Sequence, residues 1–184
     1  MRARFSSKAK PKKRSTFFPQ VVRFLVIFGL TWGVLHSLTI IFPGALQRLC
    51  VFHARITSVV ISILGGSSGS QGTLIFFPKS VPVVNVIPEC TGVFAMNVLA
   101  AAIVAFPATF LAKGVGIGVG ALLIFVLNII RLLVMLVVIR YLPRYEELLH
   151  DYLWQFIFIG FIVLTMKTWT DWAGKVEKKS ELSG

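Results

Sequence analysis

The chain has 184 residues, of which 56% are hydrophobic and 14% are charged, and its formal net charge is +12. Soluble domains carry about a quarter charged residues, so this composition argues against a soluble domain and favours a membrane protein. The basic residues gather at the two ends, with seven Lys or Arg in the first fourteen positions. No soluble basic domain accompanies them, so they indicate a membrane topology signal rather than nucleic-acid binding.

Residues 1–16 are predicted to form a basic cytoplasmic tail. Residues 17–42 form the first long apolar run and end before Pro43. This run is longer than the ~7–15-residue core of a signal peptide, so we interpret it as a retained transmembrane span.

The next segment, residues 45–64, is less apolar. Arg48, Arg55 and Ser62 recur at seven-residue spacing, which places them on one stripe of a helix. His53 belongs to the same segment. Because charged side chains are costly in lipid, the segment is predicted to be an interfacial helix rather than a span.

Residues 65–72, GGSSGSQG, are predicted to be a flexible turn. The strings TLIFF and VPVVNVI follow within residues 73–87 and are rich in β-branched and aromatic residues. They predict a short extracytoplasmic β-hairpin, and Pro82 requires one of its strands to lie at an edge.

Three further spans are predicted, at about residues 91–111, 114–141 and 151–169. The second of these contains GVGIGVG, whose two small-xxx-small patterns favour close helix packing. The predicted fold class is therefore an all-α, polytopic transmembrane bundle of about four spans. One catalytic domain is expected over residues 17–172, followed by a basic cytoplasmic tail at 173–184.

Counting the crossings gives the topology. If residues 45–64 do not cross, both basic ends lie in the cytoplasm, as the positive-inside rule requires. The loop before the last span and the start of the second span then share the extracytoplasmic side. The expected location is the cytoplasmic (inner) membrane, with the lipid bilayer as a partner.

Cys90 is the first candidate catalytic residue. It precedes the second span, and the positive end of a helix dipole favours the nucleophilic thiolate. Two alternatives stay open: a small buried hydrophobe, or a disulfide with Cys50. The chain contains no C-x-x-C motif, which argues against a metal centre, and no cofactor is expected.

Two more candidates fall on the same predicted side of the membrane. Arg131 lies inside the third span, where a charged residue suggests a functional site, and the alternative is an arginine whose side chain extends to the membrane surface. His150 precedes the last span. Asn97, seven residues after Cys90, and Asn128, three residues before Arg131, are predicted to be supporting residues because buried amides in lipid need partners. Purely structural bonding between helices is the alternative for both amides.

The strings Glu89-Cys90-Thr91-Gly92-Val93, Asn128-Ile129-Ile130-Arg131 and His150-Asp151-Tyr152-Leu153-Trp154-Gln155 resemble motifs of the exosortase/archaeosortase family. In its short length, the chain is most similar to the small form called exosortase H. Larger members of the family have more spans, and this chain resembles only their catalytic half. The resemblance therefore does not imply any function that depends on the other half.

The resemblance implies a cysteine transpeptidase that cleaves a C-terminal sorting signal. Such a signal consists of a recognition motif, a transmembrane helix and a basic tail, and the acceptor nucleophile is unknown. The resemblance implies that Cys90 is the nucleophile, that Arg131 stabilises the oxyanion and that His150 is the general acid–base. The alternative is a non-enzymatic membrane scaffold or small transporter subunit with a buried polar cluster. A thiol–disulfide relay is a third hypothesis.

Overall fold

The computed structural model describes residues 17–77, 80–146 and 148–182, so the predicted tail at 1–16 lies outside the described residues. The described chain is mostly helical. Its five α-helices are α1 (Phe17–Ile41), α2 (Pro43–Ile63), α3 (Val93–Ala105), α4 (Phe110–Tyr141) and α5 (Trp154–Leu182). The prediction of a helical membrane bundle with a small β segment is confirmed.

Four helices are long and apolar enough to cross a membrane: Phe18–Ile41, Pro43–Ile63, Phe110–Tyr141 and Trp154–Val176. The structure has the predicted number of such helices. However, α2 is one of them, whereas α3, which corresponds to the span predicted at 91–111, is not. α3 has 13 residues, which gives about 20 Å against a hydrocarbon core of about 30 Å. The span predicted at 91–111 is shorter because the backbone is extended at Phe106, ahead of Pro107.

α2 also differs in its surroundings. Its polar residues Cys50, His53, Thr57 and Ser58 are buried inside the protein, whereas Arg48 and Arg55 are exposed. The polar residues of the predicted segment therefore divide into a buried set, which includes His53, and an exposed set. Crossing and lying at the interface are both compatible with this packing, and the interfacial helix stays a prediction.

The predicted hairpin is confirmed within a three-stranded antiparallel sheet of β1 (Gly69–Gln71), β2 (Leu74–Phe77) and β3 (Ser80–Asn85), in the order β1-β2-β3. Pro82 lies in the edge strand β3, as expected of a residue without an N–H donor. The segment predicted as a flexible turn contributes β1. Its pairing with β2 was missed because GGSSGSQG carries little β propensity.

The helix ends show how the bundle is assembled. The His36 ring near the end of α1 lies 5.9 Å from Phe94 at the start of α3, so α1 and α3 run antiparallel. Lys113 at the start of α4 donates a hydrogen bond to the Val104 carbonyl oxygen near the end of α3 (2.7 Å). The start of α1, the end of α3 and the start of α4 therefore share the end of the bundle away from Cys90.

Only one of the two small-residue patterns of α4 packs tightly. A Cβ added at Gly116 would collide with the Trp169 indole, and one at Gly120 would collide with Leu99. Nothing lies within 4 Å of an added Cβ at Gly114 or Gly118. The Trp169 indole also donates to the Ala112 carbonyl oxygen (2.9 Å), which fastens α5 to α4.

Candidate active site

Cys90 lies in a short turn between the sheet and α3. The turn is a 3₁₀-helix, Pro88–Thr91, in which the Cys90 N–H donates to the Ile87 carbonyl oxygen (2.8 Å). The Thr91 hydroxyl donates to the Pro88 carbonyl oxygen (2.7 Å). The Cys90 side chain is 8% exposed. The thiol therefore occupies a buried and internally bonded turn that precedes the helix.

Gly92 separates this turn from α3. Its φ is 72°, in the left-handed region that L side chains rarely adopt. An added Cβ would lie 3.1 Å from the Ile124 side chain and 3.6 Å from Asn128. A glycine is therefore required both to reverse the backbone after Cys90 and to let the turn approach α4.

Two side chains of α4 hold the carbonyl groups of the Cys90 turn. The Asn128 amide donates to the Cys90 carbonyl oxygen at 2.5 Å, and the Arg131 guanidinium donates to the Glu89 carbonyl oxygen at 3.1 Å. Asn128 is fully buried and Arg131 is 8% exposed. Residues three apart on a helix share a face, so α4 presents both groups together. Cys90, Asn128 and Arg131 are thus brought together.

Arg131 also connects α4 to α5. Its guanidinium lies 5.9 Å from the centre of the Phe158 ring, a cation–π distance. Ten residues separate Arg131 from the end of α4 at Tyr141, about 15 Å along the axis. The arginine therefore lies well inside the apolar helix rather than at its tip.

His150 lies in a π-helical turn, Leu148–Leu153, that leads directly into α5. Its side chain lies outside the described residues. Phe158, which contacts Arg131, follows eight residues later, or about 12 Å along a helix. The backbone of His150 is therefore at the same end of the bundle as Cys90, and its approach to the thiol stays a prediction.

A family comparison agrees with this geometry. The family model described as transmembrane exosortase matches residues 15–167. The chain belongs to the transmembrane exosortase family. The match includes Cys90, Arg131 and His150, and it confirms the family to which the sequence motifs pointed. No curated protein and no solved structure matches the chain.

The structure places Asn97 in a cavity whose lining does not include the Cys90 turn. Asn97 lines this cavity of about 140 Å³ between α1, α3 and α4, with Leu35 and Ile117 among its neighbours. Its Nδ2 atom has no hydrogen-bond partner among the described residues. A seven-residue spacing places two residues on one face only within one continuous helix, and Gly92 interrupts the helix between Cys90 and Asn97.

The second cysteine lies near the first, and sequence reasoning missed its setting. Cys50 is 1% exposed and belongs to the same buried cluster as Cys90, with Ile75, Val86 and Leu132. Both thiols are free. Cys50, His53 and Thr57 are spaced three to four residues apart, and this helical spacing is the signal that predicts one buried face.

His53 completes that face of α2. Its Nδ1 atom donates to the Leu49 carbonyl oxygen (2.9 Å), and its ring lies 5.0 Å from the Phe125 ring of α4. The side chain is 1% exposed. This face of α2 packs on the turn that carries Cys90, so the turn is enclosed by α2 on one side and by α4 on the other.

The candidate site thus combines the Cys90 thiol with the Arg131 guanidinium, which is bonded to the turn that carries the thiol. A thiol becomes a strong nucleophile as the thiolate, and a guanidinium presents N–H donors in a rigid fork. The hydrogen bond to Glu89 fixes the cation on the backbone one residue before the cysteine. Such an arrangement can stabilise negative charge that develops beside the thiol.

Proposed function

We propose that the chain is a membrane-embedded cysteine protease or transpeptidase that cleaves a C-terminal sorting signal from secreted proteins. The observation that carries this proposal is the pair of hydrogen bonds from Asn128 and Arg131 to the carbonyl groups of Cys90 and Glu89. Within an exosortase-family chain, these bonds support a preorganised cation at the turn that carries Cys90. Preorganised donors are among the largest contributions to catalysis of acyl transfer.

In the first half-reaction, the Cys90 thiolate attacks the scissile carbonyl of the substrate. The C–S bond forms and the C–N bond breaks, which leaves a thioester acyl-enzyme and an amine that carries the transmembrane helix. Arg131 stabilises the oxyanion, and His150 donates a proton to the departing amine.

In the second half-reaction, an acceptor nucleophile attacks the thioester. His150 accepts the proton of that nucleophile, the C–S bond breaks, and the Cys90 thiolate is regenerated. Water as the acceptor gives hydrolysis. An amine gives an amide by transpeptidation and a hydroxyl gives an ester, and either product links the protein to the acceptor for surface display or export.

The charge distribution supports an extracytoplasmic site. Arg23 and Lys113 lie at the end of the bundle opposite Cys90. Lys175 and Lys178 of α5 follow Trp169, whose indole bonds the start of α4. By the positive-inside rule, this basic end faces the cytoplasm. Both termini would then be cytoplasmic, and Cys90 would meet the secreted part of its substrate at the outer face of the inner membrane.

The substrate would dock in lipid beside the bundle. The outer surface of the helices is apolar, with residues such as Phe110 at 93% and Leu111 at 78% exposure. A substrate helix can therefore reach the protein from the bilayer. In this proposal residues 17–172 form the catalytic domain, and the basic segments at 1–16 and 173–184 are cytoplasmic, although α5 continues through Leu182.

Co-expression with a protein that ends in a motif, an apolar helix and a basic tail tests the proposal. We expect processing by the wild-type chain and by Cys50→Ala, and none by Cys90→Ala at equal membrane insertion. Normal processing by Cys90→Ala would exclude the mechanism.

A scaffold or small transporter subunit is the second candidate. The observation that favours it is that Asn128 and Arg131 bind backbone carbonyls, as an interhelical structural cluster would. Labelling with a membrane-impermeant thiol reagent separates the two. A reactive Cys90 supports the enzyme, and an inert or disulfide-bonded Cys90 in functional protein supports the scaffold.

A further inference from the structure

The end of the bundle opposite Cys90 contains a groove that no step of the proposed reaction uses. The groove has a volume of about 440 Å³. Its walls are the start of α1, the end of α3 with the link to α4, and the first turn of α4. Two cations, Arg23 and Lys113, line it together with apolar side chains that include Val21, Phe24 and Ile27.

We propose that this groove binds one anionic phospholipid. The phosphate group would lie between Arg23 and Lys113, and an acyl chain would follow Val21, Phe24 and Ile27 along α1. Basic pockets between transmembrane helices are the sites at which anionic lipid head groups bind.

The charges of the groove favour an anion. None of the described residues that line it is acidic. Lys113 is held in place because its ammonium group donates to the Val104 carbonyl oxygen (2.7 Å), and Arg23 is exposed on α1. The segment that precedes α1 adds seven Lys or Arg within fourteen residues. A basic peptide tail would be repelled at this end.

The N-terminus of α4 adds to this attraction. α4 has 32 residues, and Lys113 lies in its first turn, next to the Thr109 N-cap. The dipole of a helix places partial positive charge at its N-terminus, which stabilises anions within the first turn. Lys113 is the residue of this first turn that lines the groove.

The apolar part of the groove favours a lipid over a free anion. Val21 is 37% exposed, and the lipid-facing residue Leu25, one turn further along α1, is 58% exposed. The groove is thus continuous with the apolar outer surface of the bundle. A soluble phosphate has no acyl chain and would leave the apolar side chains of the groove without an apolar partner.

Binding to the purified full-length chain in uncharged detergent tests the proposal. The ligands are dioleoyl phosphatidylglycerol, dioleoyl phosphatidylcholine and inorganic phosphate. Native mass spectrometry counts bound lipids, and the unfolding midpoint is followed during titration. We expect one retained phosphatidylglycerol and a raised midpoint. Equal effects of phosphatidylcholine or of inorganic phosphate would overturn the proposal.

Matched charge variants localise the site. Each basic residue near an anionic lipid contributes on the order of a fivefold gain in affinity, so Arg23→Gln with Lys113→Gln should weaken phosphatidylglycerol binding roughly 25-fold. Lys175→Gln with Lys178→Gln removes the same charge from α5, outside the groove, and should leave binding unchanged.

The single variant Arg23→Gln keeps the hydrogen bond from Lys113 to the Val104 carbonyl oxygen, so it tests the site even where the double variant does not fold. It should weaken binding roughly fivefold. Phosphatidylglycerol affinities of the folded Arg23→Gln and double variants equal to wild type would show that the lipid does not bind in this groove.

Discussion

The guanidinium of Arg131 donates a hydrogen bond to the main-chain carbonyl of Glu89, 42 positions earlier in the chain, at 3.1 Å. This contact ties the middle of the longest helix to the residue before Cys90. The same guanidinium lies 5.9 Å from the Phe158 ring. One cation therefore joins α4, α5 and the turn of the proposed nucleophile, and a change at Arg131 should affect chemistry more than insertion.

Arg131→Lys should reduce processing by roughly 100-fold or more, the loss that follows removal of one oxyanion donor. Lysine keeps the charge but lacks the planar fork, so it cannot bond the Glu89 carbonyl and meet an oxyanion in the same geometry. The measurement is the rate of substrate cleavage at matched protein levels. Arg140→Lys, nearer the end of α4, is the control and should retain near wild-type processing.

Asn128→Leu should destabilise the protein by about 1–3 kcal/mol, because the buried Cys90 carbonyl loses its donor. Processing should fall with it. Asn97→Leu is the matched control, since the Asn97 Nδ2 atom has no partner among the described residues. Unfolding midpoints in detergent and cleavage rates compare the two variants. If Asn128→Leu and Asn97→Leu were equally stable and equally active, Asn128 would have no specific role at the site.

Gly92→Ala should destabilise the turn by about 1–2 kcal/mol from the left-handed backbone alone. The approach of the new methyl group to Ile124, 3.1 Å away, adds to this cost. We expect Cys90 to be displaced from Asn128 and processing to decline. Gly65→Ala has the same backbone cost at φ 83° with open space around it, and it should leave processing intact.

Gly116→Ala should weaken the packing of α4 on α5 by about 1–3 kcal/mol, the usual cost of overpacking. The added methyl group would meet the Trp169 indole. Gly118→Ala, on the same helix with open space around it, should be neutral or slightly stabilising, since alanine is the better helix former. Thermal unfolding of the two variants in one detergent measures the difference, and identical midpoints would contradict the packing described.

The sequence predicted the helical bundle, the hairpin and the set Cys90, Asn128 and Arg131 because apolar runs and a charge inside a helix are local signals. It did not predict which segments are long enough to cross. α3 is shortened by a left-handed glycine at one end and an extended backbone at the other, and neither is visible in hydropathy.

Asn97 and the buried face of α2 illustrate the same limit. The spacing from Cys90 to Asn97 was correct for an unbroken helix, but Gly92 changes the direction of the chain between them. The face with Cys50 and His53 has a regular helical spacing. Its burial, however, depends on the sheet and on α4, which are distant in sequence, and only the assembled fold brings them together.

Detection of the acyl-enzyme tests the central claim most directly. Membranes that contain the chain and a sorting-signal substrate are quenched in acid, and the Cys90 peptide is examined by mass spectrometry with and without hydroxylamine, which cleaves thioesters. We predict a substrate fragment on Cys90 that hydroxylamine releases, present in Cys50→Ala and absent in Cys90→Ala. Processing that continues in Cys90→Ala, or an adduct on Cys50 instead, would contradict the account.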